Sequence, residues 1–237
     1  MALPTARDLA REELTRRILA AARQRLTREG PGQLSLRAVA RDVGMVSSAV
    51  YRYFPSRDDL LTALILQCYD ELGEAAERAD AAVEDRTDVL TRWMASCRAV
   101  RSWSIEHPGE FALLYGSPVP GYAAPQDTIG AAVRVVVVLV LIVSEARAAG
   151  SAAPVPPPGA STVAPSVAGA ARFMLERSVI AEAPAELVLR TLMGWTTLFG
   201  TVSFELFGHL TGAVDDPAAY FDHVVRRLAA DIGLPPH

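Results

Sequence analysis

The 237-residue sequence contains no lysine: all 23 of its basic residues are arginine. With abundant alanine, that bias fits a GC-rich bacterial gene and says nothing about activity. Cysteine is scarce as well. Cys68 and Cys97 are the two present; they lack metal or redox spacing and read as buried thiols in a reducing compartment. Histidine occurs four times, at His107, His209, His223 and His237. There is no HExxH, GxSxG, phosphate-binding loop or metal-spaced cluster, so nothing supports an enzyme, a bound metal or a cofactor. A membrane-length apolar run is also missing. The most apolar segment, Val135 to Val143, spans nine residues, where about 20 are needed to cross a bilayer. Residues 1–14 have no apolar core of signal-peptide length. The expectation is a soluble cytoplasmic protein with no membrane partner.

What is present points to a folded chain. An apolar content of 51% excludes global disorder, and the length suits one or two small domains. The net charge is −4 and the pI about 5.6, which on average disfavours nucleic acid. The average hides an asymmetry. Residues 1–57 carry a net +6 and residues 58–237 a net −10. A basic head on an acidic body is the distribution expected if only the head meets phosphate.

Helical periodicity runs through the whole chain. Apolar residues at three-and-four spacing predict helices over 6–29, 57–79, 87–106, 110–115, 126–149, 167–181, 184–210 and 217–232. Pro184 and Pro217 suit first-turn positions. Residues 150–165, rich in Pro, Ala, Gly and Ser, read as a mobile linker between helical segments.

Residues 34–61, LSLRAVARDVGMVSSAVYRYFPSRDDLL, have the layout of a helix-turn-helix. Ser35 suits the N-cap of a first helix whose apolar face is Leu36, Val39, Ala40 and Val43. Gly44 falls where the chain must turn. A second helix over 47–54 buries Val50 and Phe54 and exposes Ser47, Ser48, Tyr51 and Arg52. Such a pair can place its second helix in a DNA major groove.

The identities in this stretch resemble the N-terminal domain of the TetR family of transcriptional regulators. The resemblance covers roughly residues 9–65 and is carried by ILAAA at 18–22, LSLR at 34–37, Gly44 and AVYRYFPSR at 49–57. Position 46 departs from it: valine stands where the family usually has a small residue, which weakens the expected cap. Gly194-Trp195-Thr196-Thr197-Leu198-Phe199-Gly200 resembles relatives with a Trp-His-Gly signature. Phe199 replaces the histidine, so no role of that histidine carries over.

The resemblance implies an all-α protein with a three-helix DNA-binding domain over 1–57 and a helical ligand-binding and dimerisation domain over 58–237. It implies double-stranded DNA contacts by Arg37, Tyr51, Tyr53 and Arg57, beside Ser35, Ser47, Ser48 and Arg52. For Arg37 the alternative is a solvated surface, and for the tyrosines core packing. It also implies a small-molecule effector, here lipophilic or aromatic, for which Trp93, Trp103, Phe111, Tyr115, Phe173, Met174 and Arg177 are the candidate walls; for each the alternative is plain core packing. Arg177, if buried, would favour an anion. Dimerisation would use the last two long helices, where Trp195, Phe199, Val202 and Leu206 form an apolar stripe; the alternative is a core stripe within one subunit. The functional expectation is a dimeric repressor on a palindromic operator. The alternatives are an activator, or a binding protein with a weakened DNA head.

Overall fold

The computed structural model describes residues 5–152, 160–177, 179–182 and 184–235. Eleven α-helices and no strand occur among the described residues, as the periodicity predicts. They form two compact units, each with its own core. Residues 1–71 and 107–132 belong to the first, and residues 72–106 and 133–237 to the second.

The first unit begins with α1 (Ala6–Glu29). Thr5 and Asp8 form a reciprocal capping box that satisfies two backbone N–H groups at its start. Gly30 (φ 76°) ends it ahead of Pro31. The two short helices α2 (Leu36–Asp42) and α3 (Ser47–Val50) follow, then α4 (Arg57–Ala81), whose first part belongs to this unit. Ile18, Ala22 and Leu26 of α1, Leu36, Val39 and Ala40 of α2, Val50 of α3 and Leu60, Leu61 and Leu64 of α4 share one buried core. The segment that returns to this unit carries α6 (Pro108–Tyr115) and α7 (Ile129–Ala132). Leu113 and Val119 join the same core, and the Thr62 and Tyr122 hydroxyls lie 2.9 Å apart. Gly109 lets α6 cross α1 closely, since a Cβ there would lie 3.0 Å from the Thr27 Cα.

An ionic clamp fastens α1 within this unit. Arg23 donates to Glu71 of α4 at 2.7 Å and to the buried Glu110 of α6. Burial pushes the Glu71 pKa up, but the hydrogen bonds from Arg23 and Gln67 outweigh it and hold the group below its ordinary 4.5. The folded form therefore binds fewer protons here than the unfolded chain. The contribution is fully present above about pH 5 and is lost as pH falls through the folded-state value. Thermal unfolding followed from pH 7 to pH 3.5 should show this decline, and Glu71→Gln should flatten it. Equal slopes in the two proteins would remove Glu71 as a source of acid sensitivity.

The second unit contains the rest of α4, α5 (Val89–Glu106), α8 (Arg134–Ala148), α9 (Ala160–Glu176), α10 (Ala185–Leu206) and α11 (Pro217–Ile232). Helix α5 is its centre and packs against α8, α10 and α11. Trp93, Cys97 and Val100 on α5 are wholly buried, as are Leu198 and Val202 of α10 and Val225 and Ala229 of α11. The Trp93 indole donates to the Val225 carbonyl at 2.9 Å. Arg92 is buried beside it, held by Asp80 at 2.8 Å and Glu145 at 2.6 Å. Asp216 caps α11 through the Ala219 N–H, and Gly233 ends it in a left-handed conformation. Both cysteines are buried, and desolvation pushes the Cys68 thiol up to about 12, which keeps it protonated and inert.

Some boundaries differ from the sequence expectation. The helix expected over 126–149 is broken: a 3₁₀ turn at Gln126–Thr128 and α7 precede α8, with Val133 (φ −94°, ψ −2°) between them. Gly130 lies inside α7 and not at Val133, so apolar spacing runs through the break. Of the expected linker, residues 153–159 lie outside the described residues and 160–165 are helical, with Pro165 inside α9. No single helix among the described residues is long and apolar enough to cross a membrane.

Candidate nucleic-acid interface and effector cavity

The turn between α2 and α3 is built by the backbone. Gly44 takes φ 70°, where a side chain would be strained, and the Met45 N–H donates to the Ala40 carbonyl at 2.9 Å. Since Leu36, Val39, Ala40 and Val50 turn inward, the opposite face is left to Arg37, Arg41, Ser48, Tyr51 and Arg52, all exposed. Among the described residues no ion pair holds Arg37, Arg41 or Arg52, so their guanidinium groups are available for phosphate or guanine. Ser35 and Ser47 are half-buried. Ser35 occupies the N-cap of α2 without making a side-chain cap bond. Helix α3 is shorter than expected, four residues followed by turns through Tyr53.

Two expected DNA contacts have other partners. The Tyr53 ring packs against the core, with the Arg11 guanidinium 5.6 Å from its centroid. Arg57 donates to the carbonyls of Leu34 (3.0 Å), Pro31 (3.1 Å) and Gly32 (3.2 Å). Its guanidinium thus ties the α1–α2 connection to the start of α4, which spacing in the sequence does not reveal.

The second unit holds an apolar cavity of about 310 Å³ bounded by α8, α9 and α10. Val136, Val140, Met174, Ile180, Leu187 and Val188 supply most of its wall, with Ser144, Arg147, Glu182 and Thr191 adding polar groups. Thr191 already donates its hydroxyl hydrogen to the Leu187 carbonyl at 2.8 Å. Only Met174 of the sequence candidates lines this space. Trp93 and Trp103 are core residues of the second unit. Phe111 and Tyr115 lie in the first unit, where Tyr115 meets Tyr69 edge-on. Phe173 is half-buried, and Arg177 is exposed and stacks on its ring at 3.8 Å, so Arg177 offers no buried cation. The sequence signal for the cavity is the valine-rich run of α8, which supplies Val136, Val140 and Val143 to its wall.

Helix α10 carries two apolar stripes. The expected dimer residues lie on the inner one: Val202 is 0% and Phe199 7% exposed, Trp195 packs on Phe199 and Leu206 is half-buried. The outer stripe is Met193, Thr197, Gly200, Phe204 and Phe207, at a four-three repeat. Met193 (50%), Phe204 (55%) and Phe207 (45%) are unusually exposed for their size, as is Tyr220 (40%) on α11. Between them runs a shallow groove lined by Thr197, Gly200, Thr201, Phe204, Leu210 and Tyr220.

An arginine-rich helix-turn-helix joined to a helical body defines a DNA-binding protein of the transcription-regulator class. The family description "Bacterial regulatory proteins, tetR family" matches residues 18–64, and "Tetracyclin repressor-like, C-terminal domain" matches residues 93–228. The chain belongs to the TetR family of transcriptional regulators. It is 37% identical over 225 residues to the HTH-type transcriptional regulators Rv1816 of Mycobacterium tuberculosis and Mb1846 of Mycobacterium bovis, covering 93% of this chain and 93% of each relative. Its fold is similar to a solved protein of unknown function from Rhodococcus sp. RHA1 (TM-score 0.66, 27% identity, 92% of this chain and 93% of that one).

Proposed function

We propose that the protein is a homodimeric repressor that reads a palindromic operator and releases it when an apolar effector binds. Residues 1–57 are the DNA-contacting module, and residues 58–237 hold the effector and the partner subunit. The observation that carries this reading is the exposed face of α2 and α3. Arg37 there is exposed, as are Ser48, Tyr51 and Arg52, which supports a contact with guanine or phosphate. One four-residue helix spans only a few base pairs, so a second copy on a two-fold related half-site supplies the remaining selectivity. The outer stripe of α10, with Tyr220 of α11, is the face proposed for that second copy. Large apolar side chains held in water have no return within one chain.

The effector is a molecule of one or two rings, or a short acyl chain. The cavity of about 310 Å³ is roughly twice the ~150 Å³ that accommodates benzene. Its wall is apolar with few polar groups, which suits a neutral or weakly polar ligand. Regulation follows if the effector binds the DNA-released conformation more tightly than the DNA-bound one. A cytoplasmic location belongs to the same proposal.

The test is fluorescence anisotropy with duplexes from the DNA flanking the gene and from a random-sequence selection, across a salt series. Specific binding with a steep salt slope is expected. Arg37→Ala should weaken it about tenfold to a hundredfold per half-site, the scale of one lost bidentate base contact. Selection of no sequence at all would sink the regulator reading for this head.

A further inference from the structure

Val46 is 70% exposed, more than any other large apolar side chain described. Its neighbours are placed differently: Met45 packs against the core and Ser47 is half-buried. Val46 is also the N-cap of α3 (φ −69°, ψ 144°) and makes no cap bond. Valine is among the poorest residues for that position, where Ser, Thr, Asp or Asn would satisfy a free N–H. The side chain therefore neither packs nor caps, although it stands at the leading end of the helix that faces DNA, among Arg37, Arg41, Ser48 and Tyr51.

A dimethyl-bearing side chain cannot hydrogen-bond a base edge. The one apolar group in the major groove is the C5-methyl of thymine. We propose that Val46 is a specificity-determining residue that packs on the C5-methyl of one thymine in each operator half-site. The inference rests on the operator reading given above. It gives the exposed aliphatic side chain a partner that is present only when DNA closes over the site, and it accounts for a residue that caps α3 poorly standing at this position. It also assigns different work to neighbouring positions. The arginines hold phosphate or guanine, and Val46 distinguishes thymine from cytosine, whose C5 position carries only hydrogen.

The experiment removes the methyl and nothing else. Duplexes selected by the full-length protein from a random pool identify the operator, and each thymine is then replaced by deoxyuridine. One symmetric pair of positions should weaken wild-type binding about fourfold when one half-site is changed and about fifteenfold when both are, the scale of withdrawing one methyl-sized contact each time. Val46→Ala, which withdraws both γ-methyls, should discriminate the thymine and uracil duplexes much less than the wild type. Val46→Ser should lose the same discrimination while its thermal midpoint holds or rises, because serine caps α3 where valine does not. Equal binding of wild type to thymine and uracil duplexes at every position would overturn the inference. So would an undiminished thymine preference in Val46→Ala, which would assign the methyl to another side chain. A pool without any enriched sequence overturns the operator reading itself, a failure recognisable because no thymine position is ever defined.

Discussion

Phe204→Glu should convert a protein of twice 25.4 kDa into one of 25.4 kDa in solution. Phe204 lies near the middle of the outer α10 stripe and is 55% exposed. In a two-fold arrangement each copy would bring a carboxylate to the same apolar seam, so two like charges would be desolvated together. Gly200, one turn before it, has open space where a Cβ would stand, which allows a partner helix to approach closely. Light scattering after size exclusion reads the mass directly. Operator affinity should fall by about a thousandfold or more, a thousandfold being roughly the lower end of the interval between specific and non-specific binding, because one head alone holds one half-site. Circular dichroism should remain that of the parent, since the substituted side chain already meets water. A dimer that survives Phe204→Glu would mean that subunits meet on another face.

The largest loss of stability should come from Trp93→Ala. Trp93 is fully buried in the centre of the second unit, and its indole donates to the Val225 carbonyl at 2.9 Å, tying α5 to α11. Removing the ring leaves a cavity that typically costs about 3–5 kcal/mol. The Val225 carbonyl also loses a buried donor, about 1 kcal/mol or more. A total near 5 kcal/mol corresponds to a midpoint lowered by about 10–20 °C in a chain of this length. Trp93→Phe keeps most of the packing and removes the N–H, so it should lose only about 1–2 kcal/mol, chiefly from the unpaired carbonyl. Calorimetry on the three proteins separates the two contributions. A Trp93→Ala midpoint within a few degrees of the parent would mean that the α5–α11 contact is not central to this unit.

How much of this was legible in the sequence depended on how local the determinants are. The helix-turn-helix could be read because its parts lie within one short stretch. Leu36, Val39 and Ala40 mark one face, Gly44 supplies the left-handed turn, and Val50 and Phe54 close the core. The exposed positions of Arg37, Ser48, Tyr51 and Arg52 follow from the same spacing. Arg57 could not be read, because its carbonyl partners at 31–34 are set by the fold of a connection lying more than twenty residues earlier. The return of α6 to the first unit was hidden as well: it depends on Glu110 finding Arg23 across 87 residues. On α10 periodicity reported an apolar helix correctly and could not say which of two stripes faces inward. The resemblance and the apolar spacing place Phe199 and Val202 on one stripe, and in the single chain that stripe packs inward. The cavity is illegible in the sequence for a related reason. Aliphatic walls such as Val136 and Val140 look like ordinary core until three helices fail to fill the space among them.

Helix α10 carries the cavity wall on its first two turns, at Leu187, Val188, Thr191 and Leu192, and the outer stripe begins one residue later at Met193. The proposed ligand site and the proposed subunit seam are therefore consecutive stretches of one helix. If both sites act as proposed, occupancy of one and pairing at the other are thermodynamically linked. Apparent effector affinity then depends on the abundance of the regulator itself, so a cell that makes more of this protein also retunes the dose at which it responds.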